Sequence, residues 1–212
     1  MKINILLFDD FETLDVFGPV EILARIPNAQ LKYFSLSGGL VQSRQGYQIV
    51  TENITGFEPR GILLIPGGQG TRLLVTDASF LATLAQLVEQ SEYCLSVCTG
   101  AALLACTALL DQHAATSNKK ALAWVKSLNR QVLWRDSARW VVSGKFYTSS
   151  GVSAGMDMTL GFVRDRFGEA IAQKIATDIE YIWNADPEYD PFTDKDDLRL
   201  KIAKPNNHII RL

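Results

Sequence analysis

The sequence predicts an α/β fold in which helices cover a mostly parallel central sheet. Short apolar runs alternate along the chain with segments of helical period, and most of the runs contain β-branched or aromatic residues. The chain has 212 residues, of which 47% are hydrophobic. This length and composition suit one compact domain with a full-sized core and disfavour a disordered or fibrous chain.

Five brief apolar runs are the predicted strands: residues 3–8, 31–37, 61–65, 93–97 and 146–149. Residues 41–54 differ from these runs, because Gly46 separates two partly alternating stretches. That pattern is typical of a hairpin or of an addition to the edge of a sheet.

Helical periodicity is clearest in two segments. Residues 79–90 carry one apolar stripe, with Asp77 as the expected N-cap, and the stripe comprises Phe80, Leu81, Leu84, Leu87 and Val88. Residues 169–183 carry a second stripe, which comprises Ile171, Ile175, Ile179 and Ile182. Gly168 separates this second helix from one over residues 156–167, and we expect the pair to close the domain.

The composition changes after Asn184. Pro187 and Pro191 lie four residues apart, and proline does not sit in a helix interior. A charged stretch follows from Thr193. We therefore expect a single domain over residues 1–192 and a looser C-terminal tail over 193–212, which is a candidate to dock on a partner subunit.

The charge pattern narrows the class of partner. The chain has 21 basic and 23 acidic residues and no dense Lys/Arg run, so it lacks the electrostatic footprint of a nucleic-acid-binding protein. Its longest apolar stretch is far below the roughly 18 residues that span a bilayer, and the N-terminal apolar run is too short for a signal peptide. We expect a soluble, cytoplasmic protein whose partner is a small molecule.

Cys98 is the leading candidate nucleophile. It lies between an apolar strand that ends at Val97 and a helix-forming run that begins near Gly100, which is the geometry of a nucleophile elbow with Cys in place of Ser. The positive end of the helix dipole there would lower the pKa of the thiol. The alternative, a buried small hydrophobe, fits Cys94 and Cys106 better than Cys98.

Two further segments could serve such a nucleophile. Gly67, Gly68 and Gly70 follow a buried strand and could expose N–H groups as an anion nest or half of an oxyanion hole, although a simple strand-to-helix turn explains them equally well. Asp15 lies between apolar residues, shortly before Gly18 and Pro19. We expect a helix to begin there, with Pro19 near its first turn. Burial would raise the pKa of Asp15 and make it a proton donor, and a helix-capping role is the open alternative.

Histidine is scarce in this chain. His113 follows a helix and His208 lies in the predicted tail, so neither is an evident base for Cys98. The three cysteines lie in one 13-residue window and resemble neither a disulfide framework nor a zinc site, and no His, Cys or carboxylate cluster has metal-ligand spacing. The sequence therefore predicts chemistry without a metal or another cofactor.

Several blocks together resemble the ThiJ/PfpI superfamily. They run through residues 15–21, Ile65-Pro66-Gly67-Gly68, Ser96-Val97-Cys98-Thr99-Gly100-Ala101, 115–119, 148–157 and 189–192. The resemblance implies a flavodoxin-like three-layer sandwich with helices on both faces of the sheet, and a homodimer. Thr99 stands where protease-like and several deglycase-like members carry His. Isonitrile hydratases and the regulators related to them carry Thr at this position, as this chain does. The Ser117-Asn118-Lys119 segment departs from the His-Trp found in many of those members.

The resemblance also implies roles for individual residues. Cys98 is the nucleophile, Asp15 is the acid that faces it, and Thr99 is the adjacent polar residue. Backbone N–H groups of Gly68 and Thr99 form the anion-stabilising pocket, with Gly67 beside them. The loop of residues 149–155, including Ser150 and Gly151, resembles as a whole the wall of the family's site. Each residue of the loop taken alone is better explained as part of a hydroxyl-rich N-cap region, with Asp157 in the first turn of the helix that follows.

Three functions are open at this point. The first is a cofactor-independent hydratase that converts an isonitrile to an N-substituted formamide through Cys98 and Asp15. The second is a glutathione-independent glyoxalase or deglycase acting on α-oxoaldehydes, which the missing His neighbour disfavours. The third is a non-catalytic, redox-responsive protein in which Cys98 is oxidised. A DNA-binding regulator is disfavoured, because about 20 residues after Phe192 leave no room for a helix-turn-helix domain.

Overall fold

The structure is a computed structural model and describes residues 1–193. Its strands are β1 (Lys2–Leu6), β2 (Gln30–Ser35), β3 (Gly39–Gln42), β4 (Gln48–Asn53), β5 (Ile62–Ile65), β6 (Tyr93–Ser96), β7 (Ala114–Ala115), β8 (Leu133–Trp134), β9 (Trp140–Ser143) and β10 (Phe146–Ser149). Eight of these strands form one sheet in the order β3-β4-β2-β1-β5-β6-β10-β9, and β7 pairs with β8 separately.

The large sheet is parallel from β4 through β10, and β3 and β9 are antiparallel edges. The mostly parallel α/β fold predicted from the sequence is confirmed, as are its five strands. The predicted hairpin over residues 41–54 is formed by β3 and β4, whose register pairs Gln42 with Gln48. All four residues of β5 are buried, as expected of a strand covered on both faces.

Within residues 1–193, seven helices cover the sheet. They are α1 (Thr13–Leu23), α2 (Thr71–Leu74), α3 (Ala78–Gln90), α4 (Gly100–Cys106), α5 (Leu122–Leu128), α6 (Ala154–Phe167) and α7 (Glu169–Asp178). Helix α6 packs against α1 and α7, whereas α4 packs against α2, α3 and α5. The two groups form the outer layers of the three-layer sandwich.

Capping and backbone geometry explain where two helices begin. The Asp77 carboxylate accepts a hydrogen bond from the Phe80 N–H at 3.0 Å, which confirms the predicted N-cap of α3. Phe80, Leu84, Leu87 and Val88 of the predicted stripe are buried. Gly168 has a φ of 97°, a conformation that suits glycine, and it separates α6 from α7 as predicted.

Two predictions about helix limits are wrong. Helix α7 ends at Asp178, and the Ile182 side chain is 93% exposed, because the Tyr181 N–H bonds back to the Ala176 carbonyl and redirects the chain. Helix α1 begins at Thr13, with Glu12 at the N-cap, so Pro19 lies inside the helix and Asp15 lies in its first turn.

The segment beyond α7 lies along the strand β9. The Pro187 carbonyl accepts hydrogen bonds from the N–H groups of Arg139 and Trp140, and the Asp190 N–H donates to the Ser137 carbonyl. Of the predicted tail, only Thr193 lies within the described residues. Across residues 1–193, no helix combines the length and the apolarity needed to cross a membrane.

Candidate functional site

The connections that follow β1, β5 and β6 meet at the carboxyl edge of the sheet. Since β2 and β5 flank β1 on opposite sides, the chain changes direction between β1 and β5, and open parallel sheets bind ligands outside such a point. These connections lead to Asp15, Gly67 and Cys98, so the topology brings together three of the residues predicted from the sequence.

Cys98 occupies a sharp turn between β6 and α4. Its φ of 57° is a left-handed conformation that is uncommon for a residue other than glycine, and it confirms the predicted strand-to-helix elbow. The turn is held from two directions. The Cys98 N–H donates to the Ser150 carbonyl at 3.1 Å, and the Ser117 hydroxyl donates to the Cys98 carbonyl at 2.6 Å.

Asp15 lies beside the Cys98 thiol and is fully buried. Its Oδ2 accepts a hydrogen bond from the Gly67 N–H at 2.9 Å. Its Oδ1 has no N–H or O–H partner among residues 1–193, and the Cys98 thiol interacts with this carboxyl. Burial raises the pKa of Asp15 from its ordinary value of 3.8 to about 8, so the carboxyl is protonated at neutral pH.

The thiol of Cys98 is protonated in the same resting site. Burial is the main cause that raises its pKa above the ordinary value of a cysteine, and the nearby Asp15 raises it further. The lowered pKa predicted from the helix dipole is therefore wrong. Helix α4 has only seven residues, and its end is covered by protein rather than water. The N–H groups of Thr99 and Val152 and the side chain of Asn118 oppose this shift by bonding to sulfur.

Thr99 joins the elbow to the glycine-rich turn. Its Oγ1 accepts hydrogen bonds from the Gly68 N–H at 3.0 Å and from the Thr71 hydroxyl at 3.1 Å. The Gly68 and Gly67 N–H groups are therefore both engaged, the second by Asp15. A Cβ on Gly67 would lie 2.5 Å from the Thr99 nitrogen, so this close approach requires glycine. The N–H groups that face sulfur are those of Thr99 and Val152 rather than that of Gly68.

The loop before α6 supports the elbow mainly through its backbone. Ser150 is 2% exposed, accepts the Cys98 N–H and donates its own N–H to the Arg139 carbonyl at 2.8 Å. Gly151 lies against the Asn118 amide. Asp157 lies in the first turn of α6, as predicted, but it points into a buried cluster and bonds to Arg139 and Tyr181.

Sequence reasoning missed the contributions of Ser117, Asn118 and Val152. Ser117 is fully buried and fixes the carbonyl of the nucleophile, while Asn118 and Val152 donate to its sulfur. The sequence marks the Ser117-Asn118-Lys119 segment as a departure from the superfamily pattern, but it does not indicate that this segment contacts Cys98. Its polar side chains fall beside Cys98 because β7 places that segment near the end of β10.

A cavity of about 380 Å³ gives access to Cys98, whose side chain is otherwise nearly covered. Gly68, Thr99, Asn118 and Val152 line it near the sulfur. The remaining lining residues are Glu12, Arg44, Gln69, Arg72, Lys120 and Ala121. Ser150 and Gly151 do not line this cavity, but they contact Cys98 and Asn118, which do.

The other candidate groups lie apart from the cavity. Cys94 is fully buried in β6, and burial raises its pKa to about 12, while Cys106 is partly buried in α4. The His113 ring forms a hydrogen bond with the Ser143 hydroxyl at 2.9 Å, at the end of β9. His208 lies outside the described residues. Within residues 1–193, no group of three His, Cys, Asp or Glu side chains is placed to hold a metal ion.

The sequence profile of the DJ-1/PfpI family matches residues 1–165. An isonitrile hydratase of Pseudomonas putida is 30% identical over 184 residues, which cover 85% of this chain and 78% of that protein.

Solved structures have the same fold. A ThiJ/PfpI family protein of Pseudomonas syringae superposes with a TM-score of 0.77 at 27% identity, covering 95% of this chain and 84% of that one. Drosophila melanogaster DJ-1beta superposes with a TM-score of 0.73 at 16% identity, covering 86% and 98%.

Proposed function

The chain belongs to the DJ-1/PfpI family, and on that premise we propose that it is a hydratase that converts an isonitrile to an N-substituted formamide. The observation that carries the proposal is the buried pair formed by the Cys98 thiol and the Asp15 carboxyl. The pair combines a nucleophile with a carboxyl that holds a proton at neutral pH. The similarity to a Pseudomonas putida isonitrile hydratase supports the choice of reaction.

In the first step, sulfur attacks the terminal carbon of the isonitrile. A carbon–sulfur bond forms, the carbon receives the proton of Asp15, and Asp15 takes up the proton that leaves the thiol. The product is a thioimidate joined to Cys98. The N–H groups of Thr99 and Val152 and the Asn118 amide stabilise the negative charge that sulfur carries once its proton has left and before the carbon–sulfur bond is complete.

In the second step, water attacks the thioimidate carbon. Asp15, protonated again after the first step, gives its proton to the thioimidate nitrogen and then accepts one from the attacking water. It passes that proton to sulfur as the carbon–sulfur bond breaks and takes up the remaining proton of the hydroxyl group, which becomes the formamide carbonyl. The sum of the two steps is one isonitrile and one water giving one formamide. Asp15 is alternately acid and base, and its raised pKa keeps both forms accessible near neutral pH.

The test is formamide production from an aryl isonitrile by the purified protein. We expect turnover in the wild type, none in Cys98→Ala, and normal turnover in Cys106→Ala, a matched control outside the cavity. Mass spectrometry of a rapidly quenched reaction should show the thioimidate on Cys98 alone. Equal rates in Cys98→Ala and the wild type would contradict the proposal.

Two other outcomes would assign another function. Lactate formation from methylglyoxal without glutathione, with no isonitrile turnover, would indicate a glyoxalase. Addition of one or two oxygens to Cys98 by mild peroxide, in a protein that turns over neither compound, would indicate a redox-responsive role.

A further inference from the structure

Three cationic side chains line the cavity that contains Cys98. Arg44 lies in the connection between β3 and β4, Arg72 lies in α2, and Lys120 follows the segment that carries Asn118. All three are exposed. Within the part of the chain that the structure describes, none of them forms an ion pair with a carboxylate.

Contacts with the fold place these cations at the cavity. The Arg72 guanidinium stacks on the Trp124 ring, with its Cζ 3.4 Å from the ring centroid. The Arg44 N–H donates to the Phe11 carbonyl at 2.8 Å, next to α1. The Lys120 N–H donates to Oδ1 of Asn118 at 2.9 Å, so the residue that contacts sulfur also orients the backbone of Lys120.

The charges around the cavity do not cancel. Glu12 is the one carboxylate among its described lining residues, and it accepts a hydrogen bond from the Gln45 amide at 2.7 Å. Asp15, behind the lining, is uncharged at neutral pH because burial raises its pKa to about 8. Three cations and one carboxylate leave this wall positive, although the whole chain has a net charge of -2. Charge of one sign in a cleft attracts small ions of the other sign.

We propose that the substrate carries an anionic group, most simply a carboxylate, that Arg44, Arg72 and Lys120 bind while its electrophilic carbon reaches Cys98. The substrate class is thus an anionic isonitrile, an inference that rests on the proposed function. Guanidinium groups match the geometry of a carboxylate and bind it by paired hydrogen bonds. The Glu12 carboxylate lines the same cavity and repels an anion, so it would direct the anionic group of the substrate toward the three cations.

Binding of an unreactive anion tests the anion site without turnover. Calorimetric titration with benzoate should give at least about tenfold tighter binding than titration with benzamide, and the difference should shrink at high salt. Arg44→Gln combined with Arg72→Gln should remove it. Arg130→Gln is the matched control, because Arg130 is exposed and does not line the cavity. Equal binding of both compounds, or no binding of benzoate, would overturn the inference.

Turnover then separates this inference from the proposed function. We expect a higher kcat/KM for 4-isocyanobenzoate than for its methyl ester, with the ratio reduced about tenfold in the Arg44 and Arg72 double variant. Turnover of the ester without benzoate binding would support the hydratase and refute the anion site. Selective benzoate binding without isonitrile turnover would support the anion site and refute the hydratase.

Discussion

The side-chain amide of Asn118 lies against Gly151 and donates to the sulfur of Cys98. A Cβ on Gly151 would overlap Nδ2 of Asn118, so the absence of a side chain at position 151 leaves the room that the amide occupies. Oδ1 of the same amide accepts the N–H groups of Lys120 and Ala121, which fixes the orientation of its nitrogen. The glycine thus acts on the nucleophile through the asparagine.

This relationship predicts the effect of Asn118→Ala. Loss of one donor to sulfur should lower kcat by about tenfold to a hundredfold and raise the pKa of the thiol further. The pH profile of Cys98 alkylation by iodoacetamide measures the pKa separately from turnover. Gly151→Ala should move both quantities in the same direction, and a variant that slowed turnover with an unchanged alkylation profile would refute this role.

Asp15→Asn should abolish turnover and stabilise the fold. The raised pKa means that the folded protein holds the proton of Asp15 more tightly than the unfolded chain does. The contribution of Asp15 to stability is therefore greatest in acid and falls as the pH rises from about 4 to about 8. One pKa unit corresponds to about 1.4 kcal/mol, so the variant should gain at least about 1 kcal/mol at pH 8.

Urea unfolding at pH 5 and pH 8 measures this linkage. The loss of stability between the two pH values should be smaller in Asp15→Asn than in the wild type. An identical pH dependence in both proteins would show that Asp15 is not the titrating group.

Glu12→Gln should shift the pH dependence of catalysis. The Glu12 charge helps to raise the pKa of Asp15, and glutamine keeps an acceptor for Gln45 while removing that charge. Since protonated Asp15 is the proton donor in the proposed reaction, kcat/KM should fall as the pH rises through about 8. The fall should occur at lower pH in the variant. An unmoved profile would assign the alkaline limb to another group.

Arg139→Met should destabilise the fold severely. Arg139 is 6% exposed, its Nε donates to Oδ2 of Asp157 at 2.6 Å, and its Nη1 lies 3.6 Å from Oδ1 of Asp190. Removing the cation leaves two buried carboxylates without it, at a cost of about 3–5 kcal/mol. Chemical denaturation measures the loss, with the exposed Arg130→Met as control. Equal stability of the two variants would contradict the expectation.

Local sequence signals predicted the elbow and the sheet because each depends on few residues. An apolar strand that meets a helix at Cys98 is visible along the chain, as is the isolation of Asp15 among apolar neighbours. The end of α7 was not predictable in this way. The isoleucine spacing continues to Ile182, but the helix ends earlier because the Tyr181 N–H bonds to the Ala176 carbonyl and the Tyr181 hydroxyl bonds to Asp157.

The environment of the thiol depends on tertiary contacts. Helix position alone predicted a lowered pKa, whereas the burial of Cys98 and its contact with Asp15 raise it. Similarly, Ser117 and Asn118 reach Cys98 only because the segment after β7 lies against the end of β10. Neither distance in the sequence nor residue type indicates such a contact.

A continuous backbone path links Cys98 to the segment beyond α7. Cys98 bonds to Ser150, Ser150 to Arg139, and the Arg139 N–H to the Pro187 carbonyl at 2.8 Å. During synthesis on the ribosome, residues 98 and 139 emerge well before residue 187, so the last of these three hydrogen bonds can form only after the chain has reached Pro187. The set of hydrogen bonds that joins the turn of Cys98 to the segment beyond α7 is therefore completed only after nearly all of residues 1–193 have been synthesised.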